Sequence, residues 1–347
     1  MKALRIAIAT VAVALLPLAP AGATYPGENG KILYVRYDGR GSDPFAIDAD
    51  GSNRARLANT VTSEVDAVYS PDGTKIAFTY HLDGGSEIYV MNADGTGLTA
   101  VTSGPLLKRF PEWSPDGTRL AYMAKRRRGG SMIFVKNVDG TGKTRLTAKG
   151  GHNTHPKWSP DGTRIAYVHW GRRTSDIYVM NPDGANKSNL TATRTYEAGP
   201  SWSPTGTEIA YERSKNNSFG FDVFAVDLDG NRRALSRIDG LSEEAPRFSP
   251  NGELVSYLEC GRRAGCSLVV INADGSGRRK LADISDPSYA LPDGMSAVWS
   301  PDSTKLAYSG MPGSRYLLDL YVVEVADGEV TRLSNTPGLD EIAASWQ

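Results

Sequence analysis

The sequence predicts an all-β protein, a seven-bladed β-propeller of four-stranded antiparallel blades whose first blade is closed by the C-terminal strand. Three observations carry this reading. A repeat of 44–51 residues runs through the chain, two turn motifs recur in nearly every copy, and 37 Gly with 20 Pro among 347 residues suit short strands and tight turns better than long helices. The 40% hydrophobic content excludes disorder for the bulk of the chain. Equal totals of 39 basic and 39 acidic residues remove the basic excess of a nucleic-acid binder.

At the N-terminus, Lys2 and Arg5 precede an apolar stretch from Ile6 to Leu18, and Ala21 and Ala23 follow it. This order of charged, apolar and small residues predicts a signal peptide over 1–23, cleaved after Ala23. The apolar stretch is shorter than the roughly 20 residues that span a bilayer as a helix. The expectation is a single domain over 24–347, periplasmic or secreted, with no transmembrane anchor after cleavage.

The repeat is marked by an aromatic-Ser-Pro tripeptide at Tyr69, Trp113, Trp158, Trp202, Phe248 and Trp299, and Trp346 supplies a seventh aromatic at the end of the chain. In each unit a short strand ends at the aromatic. Ser-Pro-Asp-Gly then forms a turn, with Pro second and Gly fourth as a type I turn requires. An alternating run such as Arg164-Ile165-Ala166-Tyr167-Val168 gives the second strand and Asp176-Ile177-Tyr178-Val179-Met180 the third. Turns such as Asn92-Ala93-Asp94-Gly95 lead into a fourth strand that closes the unit, as at Leu146-Thr147. The opening set, beginning at Lys31-Ile32-Leu33-Tyr34-Val35, lacks a first strand, whereas Glu341 to Gln347 supplies one with no set behind it. Ring closure explains both.

These Trp-Ser-Pro-Asp-Gly and Ile-Tyr-Val-Met-Asn-x-Asp-Gly motifs resemble the WD40-like repeats of TolB-like propellers, over residues 27 to 347. The resemblance implies a propeller of the bacterial envelope; in TolB itself it implies six blades after an α/β domain, where the count here is seven. Similar blades occur in prolyl oligopeptidase-like enzymes, but no Gly-x-Ser-x-Gly nucleophile elbow is found in the sequence. Some seven-bladed propellers with similar repeats are metal-assisted polysaccharide lyases.

Chemistry-bearing residues are few. The Asp-x-Asp-Gly turns lack the further ligands and the glutamate of a calcium loop, so they read as hairpins. Cys260 and Cys266 bracket a five-residue loop and are expected to form a disulfide in an exported protein. His152 and His155 stand at the start of an inner strand, where metal binding or acid-base chemistry is open and ordinary polar loop residues are favoured. No cofactor is implied, since the sequence has no P-loop or dinucleotide fingerprint.

The repeated turns fall on one face and the variable connections on the other, where recognition is expected. Five residues before each inner-strand aromatic lie Glu64, Lys108, Asn153, Glu197, Glu243, Gly294 and Glu341. Together with His155 they are expected to line the channel mouth, with an acidic ring that favours a cationic group. Arg126, Arg127, Arg128, Arg172, Arg173, Arg262, Arg263 and Arg315 are expected to form a basic outer rim. The functional expectation is a monomeric protein- or peptide-binding or scaffold module at the cell envelope rather than an enzyme. The alternative is a carbohydrate-active enzyme, a metal-assisted polysaccharide lyase or hydrolase working on the same face.

Overall fold

The second strands of the repeats read large-small-large: Ile76-Ala77-Phe78, Leu120-Ala121-Tyr122, Ile165-Ala166-Tyr167, Ile209-Ala210-Tyr211 and Leu306-Ala307-Tyr308. Successive side chains point to opposite faces of a strand, so such a run can fill two interfaces at once. In the computed structural model this alternation builds the molecule. Ile76 and Phe78 pack backwards against Leu33, Val35 and Ala46, whereas Ala77 packs forwards with Trp113, Leu120 and Tyr122.

The structure describes residues 29–39, 41–58, 63–82, 84–126, 129–215, 220–261, 265–285, 297–311, 317–336 and 338–347. The expected signal peptide and Arg127, Arg128, Arg262, Arg263, Gly294 and Arg315 lie outside them. Among the described residues the strands form seven antiparallel units of four. In blade order, the inner strands are Asp340–Trp346, Glu64–Tyr69, Leu107–Trp113, His152–Trp158, Glu197–Trp202, Leu241–Phe248 and Val298–Trp299. Single parallel bridges, Ser86 to Leu107 and Ser131 to His152, tie blades 2, 3 and 4 together.

Seven apolar clusters fill the joints, one between each pair of neighbouring blades. The cluster that joins blade 7 to blade 1 combines Ala307, Leu320 and Val322 with Ile32, Tyr34, Ala343 and Trp346. The ring is therefore closed by the last strand, Asp340–Trp346, which runs antiparallel beside Ile32–Tyr37. Four of the five repeat tryptophans are fixed by polarity as well as by packing, because a buried indole N–H needs an acceptor; the fifth, Trp158, is buried with no acceptor for Nε1 among the described residues. Trp113 donates to Val68 O at 3.2 Å, Trp202 to Lys157 O at 3.0 Å and Trp299 to Arg247 O at 3.1 Å. Each acceptor immediately precedes an aromatic of an earlier inner strand. Trp346 departs from this rule and donates to Gly30 O at 3.2 Å, just before the strand Ile32–Tyr37.

The Ser-Pro-Asp-Gly turns hold themselves. Gly73 N donates to Ser70 O at 2.8 Å, Ser70 Oγ donates to Asp72 Oδ1 at 2.6 Å, and Lys75 N donates to Ser70 Oγ at 2.9 Å. Gly73 adopts a φ of 67°, and a Cβ there would collide with the amide of Gln347, which donates to Gly73 O at 2.8 Å. This glycine therefore both makes the turn and seats the C-terminus. The Asp-Gly turns are hairpins as expected, with Asp94 Oδ1 accepting from Thr96 N at 2.9 Å. Cys260 and Cys266 stand directly opposite in register and are joined as a disulfide, with Cα atoms 4.1 Å apart. Closing so short a loop contributes about 2 kcal/mol on the chain-entropy model.

Closure by the last strand makes a quantitative prediction. Trp346→Ala removes an indole that is 2% exposed, at a cost of roughly 3–5 kcal/mol. Ending the chain at residue 337 should in addition expose a sheet edge and give aggregated or protease-sensitive protein. Chemical denaturation and solubility measurements check both; an unchanged midpoint for either form would contradict the closure.

Candidate functional site

Each inner strand begins inside a joint between blades and only later reaches the channel. Glu64, Glu197, Glu243 and Glu341 are fully buried, and Lys108 and Asn153 are at most 4% exposed. The acidic ring expected at the channel mouth is therefore corrected: the described members of that set lie between blades, because this position fastens one blade to the previous one. Ser86 Oγ donates to Lys108 O at 2.7 Å and accepts from Lys108 N at 2.9 Å. Ser175 makes the same two bonds with Glu197 at 2.8 and 2.9 Å, Ser42 Oγ donates to Glu64 O at 2.8 Å, and Asn153 N donates to Ser131 Oγ at 3.0 Å. The spacing is 22 residues each time, a serine signal legible in the sequence once the clasp is known.

Several side chains at these positions find partners inside the joint, although one buried carboxylate oxygen of each of Glu197 and Glu341 has none among the described residues. Lys108 Nζ meets Glu87 Oε1 and Gly104 O, each at 2.6 Å. Glu341 pairs with Arg54, whose Nε also donates to the Tyr34 hydroxyl at 2.5 Å. Thr193 Oγ1 donates to Glu197 at 2.8 Å and Ser236 Oγ to Glu243 at 2.6 Å. Burial raises the carboxyl pKa of both Glu197 and Glu243 above the usual range.

In blades 2 to 6 the residues one, three and four places before the aromatic are the partly exposed ones, and these are left to line the channel. The third-place residue is a bulge in the left-handed region in five blades, at Asp66, Phe110, His155, Gly199 and Ala245, with φ between 51° and 62°. Arg109 Nε contacts Asp66 Oδ2 at 2.5 Å and its Nη2 contacts Oδ1 at 3.0 Å. Burial pushes the Asp66 carboxyl up, but the hydrogen bond and charge of Arg109 outweigh it and hold the pKa below the ordinary value. Lys157 Nζ lies 2.6 Å from Glu112 Oε2.

His155 stacks on Phe110 with ring centroids 4.2 Å apart. Burial, reinforced by the nearby cation of Lys157, lowers its pKa to about 4, so it is neutral at physiological pH. His152 diverges from it: it is exposed at the strand end, opposite Trp170 in register. The two histidines do not converge on one point. His169 turns elsewhere, with Nδ1 2.9 Å from Asn153 Oδ1.

On the variable face, Trp170 and Tyr196 are 37% and 45% exposed, with ring centroids 6.3 Å apart. Trp170 is held by a hydrogen bond from Nε1 to Thr154 Oγ1 at 2.9 Å. Arg172 and Arg173 are exposed two and three residues beyond Trp170, and Arg126 is exposed at the corresponding corner of blade 3. The described arginines of the expected rim thus lie at the surface. The exposed aromatic pair was not singled out from the sequence, where Trp170 and Tyr196 look like any other strand-end aromatics.

A family model of the TolB β-propeller domain matches residues 30–291. The chain belongs to that family. Solved structures similar to this propeller include TolB from Acinetobacter baumannii, with a TM-score of 0.59, 15% identity, and coverage of 91% of this chain and 66% of that one. An oligogalacturonate lyase in complex with manganese aligns with a TM-score of 0.70 at 16% identity, over 87% of this chain and 89% of that one. The β-propeller domain of the Trilobed protease from Pyrococcus furiosus, described as having an open velcro topology, aligns with a TM-score of 0.65 at 15% identity, over 92% and 98%. The chain thus spans just under two thirds of the Acinetobacter TolB. No curated sequence matches it. At these identities the likeness carries the fold and leaves the chemistry to the residues.

The buried glutamates give a pH prediction. A carboxyl whose folded pKa is raised keeps its proton in the native state after the unfolded chain has lost it. Its favourable contribution is present below about pH 4.3 and is lost as pH rises through the folded value. Replacing Glu197 and Glu243 together by Gln should therefore flatten the decline. The melting temperature of the variant relative to the native protein should be higher at pH 7.5 than at pH 4, as read by thermal melts at both; a difference that falls with pH would contradict the assignment.

Proposed function

We propose that this chain is an exported TolB-like propeller that binds a protein or peptide partner at the cell envelope through its variable face. The observation that carries the reading is the exposed Trp170 and Tyr196 pair beside Arg172 and Arg173. Trp, Tyr and Arg are the residues in which interface hot spots are enriched. Here they stand on a rigid scaffold, Trp170 at a strand end and Tyr196 next to one. Export is supported by the N-terminal charge and apolar pattern, by the Cys260–Cys266 disulfide and by the family. Among the described residues no helix is long and apolar enough to cross a membrane.

The second reading, a carbohydrate-active enzyme, is favoured by the likeness to oligogalacturonate lyase in complex with manganese. A metal-assisted site needs several converging ligands, and among the described residues no three His, Cys, Asp or Glu side chains gather to hold a metal. His152 and His155 do not fit that role. A tightly held divalent ion whose removal abolished turnover of uronic-acid polymers would decide for the enzyme.

Affinity capture from the native envelope, followed by titration of the recovered partner, tests the binding reading. Trp170→Ala with Tyr196→Ala removes the aromatic anchor and should weaken binding at least about 30-fold, the equivalent of about 2 kcal/mol. Both side chains are partly in water, so the melting temperature should move little. Arg172→Gln with Arg173→Gln should lower the salt sensitivity of association. Undiminished affinity in the aromatic double variant would place the interface elsewhere.

A further inference from the structure

Charge on the variable face is not spread evenly. The segments 125–131, 146–154, 169–175 and 190–196, at that end of blades 3, 4 and 5, hold eight Lys and Arg and no Asp or Glu. In a chain with 39 basic and 39 acidic residues this is a local excess of one sign. Among the described residues, Lys125, Arg126, Lys149, Arg172, Arg173 and Arg194 are all exposed, and none of the six makes an ion pair. Neighbouring cations differ: Lys108 is held by Glu87 at 2.6 Å, Arg109 by Asp66 at 2.5 Å and Lys215 by Asp222 at 3.1 Å. The two carboxylates that follow these segments do not neutralise them. Asp176 is half-buried and its Oδ1 accepts from Thr193 N at 2.9 Å, and Glu197 is fully buried.

The strand register fixes where these cations stand. Lys125 is paired with Ser131, Ser131 is bridged to His152, and His152 is paired with Trp170. At about 4.8 Å per neighbouring strand, Lys125 and Trp170 are about 15 Å apart along the strand ends. Arg126 follows Lys125, Lys149 lies three residues before His152, and Arg172 and Arg173 follow Trp170. On the other side stands Tyr196, its ring centroid 6.3 Å from that of Trp170, with Arg194 two residues before it. The exposed aromatic pair is therefore flanked by cations in both directions along the rim.

A single-sign field on an exposed rim attracts the opposite charge and steers its approach. The guanidinium groups match the two oxygens of a carboxylate. The aromatic pair makes a second demand. Its rings are inclined at 43°, so no flat sugar ring can lie against both, whereas the wedge between them takes one apolar side chain. Trp170 Nε1 is already engaged by Thr154 Oγ1, which leaves ring surface alone for a ligand.

We infer that the rim of blades 3 to 5 docks an acidic segment of the partner protein, a run of carboxylates around one large apolar residue. That residue sits between Trp170 and Tyr196, and the carboxylates meet the cations on either side. The inference rests on the binding reading given above and supplies the chemistry of its partner.

Fluorescence anisotropy at low ionic strength, with a labelled probe peptide that carries a central Leu between two runs of Glu, tests the site. Saturable binding is expected, and it should weaken as salt rises. Lys125→Gln, Arg126→Gln, Lys149→Gln and Arg194→Gln together should weaken it at least about tenfold and flatten the salt dependence. All four side chains are exposed, so the melting temperature should stay where it is. A peptide with Ser in place of the Leu should bind the native chain at least about tenfold less tightly, and the two peptides should bind alike once Trp170→Ala and Tyr196→Ala are combined. No saturable binding of the Leu peptide would overturn the inference, as would equal affinity of the two peptides for the native chain. Polygalacturonate or phosphatidylglycerol vesicles that compete as well as the peptide at matched charge would also overturn it, in favour of a general polyanion or membrane contact. A partner recovered from the envelope that needs Trp170 and Tyr196 but is indifferent to the quadruple change would overturn the acidic segment and leave the binding reading standing.

Discussion

Everything in this molecule depends on the requirement that the middle strands of each blade bury both faces. A run such as Ile165-Ala166-Tyr167-Val168 is fully apolar, so a single blade would leave a hydrophobic sheet face in water. Its alternate side chains go to different neighbours: Ile165 and Tyr167 to the cluster with Trp158, Ala166 and Val168 to the cluster with Trp202. The large residues point backwards and the small ones forwards around the ring. No blade is complete without two others, and an open chain of blades would leave two faces uncovered. The C-terminal strand answers that constraint, bringing Ala343 and Trp346 into the joint with blade 7 while it pairs with Ile32–Tyr37.

The same constraint decides which residues are available for function. The beginning of each inner strand is consumed in fastening blades, through the serine clasps at Ser42, Ser86, Ser131 and Ser175. Only around the left-handed bulge do side chains reach the channel, and there the near-sevenfold repetition breaks. Asp66 and Arg109, then Glu112 and Lys157, neutralise one another on one side of the ring. On the other, Glu212 accepts from the Ala245 amide and Glu244 from the Ser242 hydroxyl. Recognition on a propeller comes from such departures, since whatever every blade shares serves the ring.

The fold was legible because its period, turns and offset last strand are each local sequence signals. Ser-Pro-Asp-Gly needs Gly73 and its equivalents at a positive φ, and alternation needs nothing but β geometry. The placement of charge was not legible. Counting back five residues from each aromatic assumes a regular strand with a two-residue period, and on that assumption Glu64, Glu197, Glu243 and Glu341 point at the channel mouth. The bulge inserts a residue between that position and the aromatic, and the even count that remains returns these side chains to the aromatic's side, in the joint. Nothing in Asp66, Phe110, His155, Gly199 and Ala245 as residue types announces a shared backbone conformation, so the bulge was invisible without the register. The disulfide between Cys260 and Cys266 was readable for the opposite reason, because a short loop between two strands leaves the pair opposite each other.

Native-state hydrogen exchange tests most directly whether the ring is one cooperative unit closed by its last strand. The amides of Asp340–Trp346 and of the clasped positions Lys108, Asn153 and Glu197 should exchange with a common opening free energy, equal to that of global unfolding. Exchange of residues 340–346 as a separate unit, at a markedly lower free energy than the inner strands of blades 3, 4 and 5, would contradict the account.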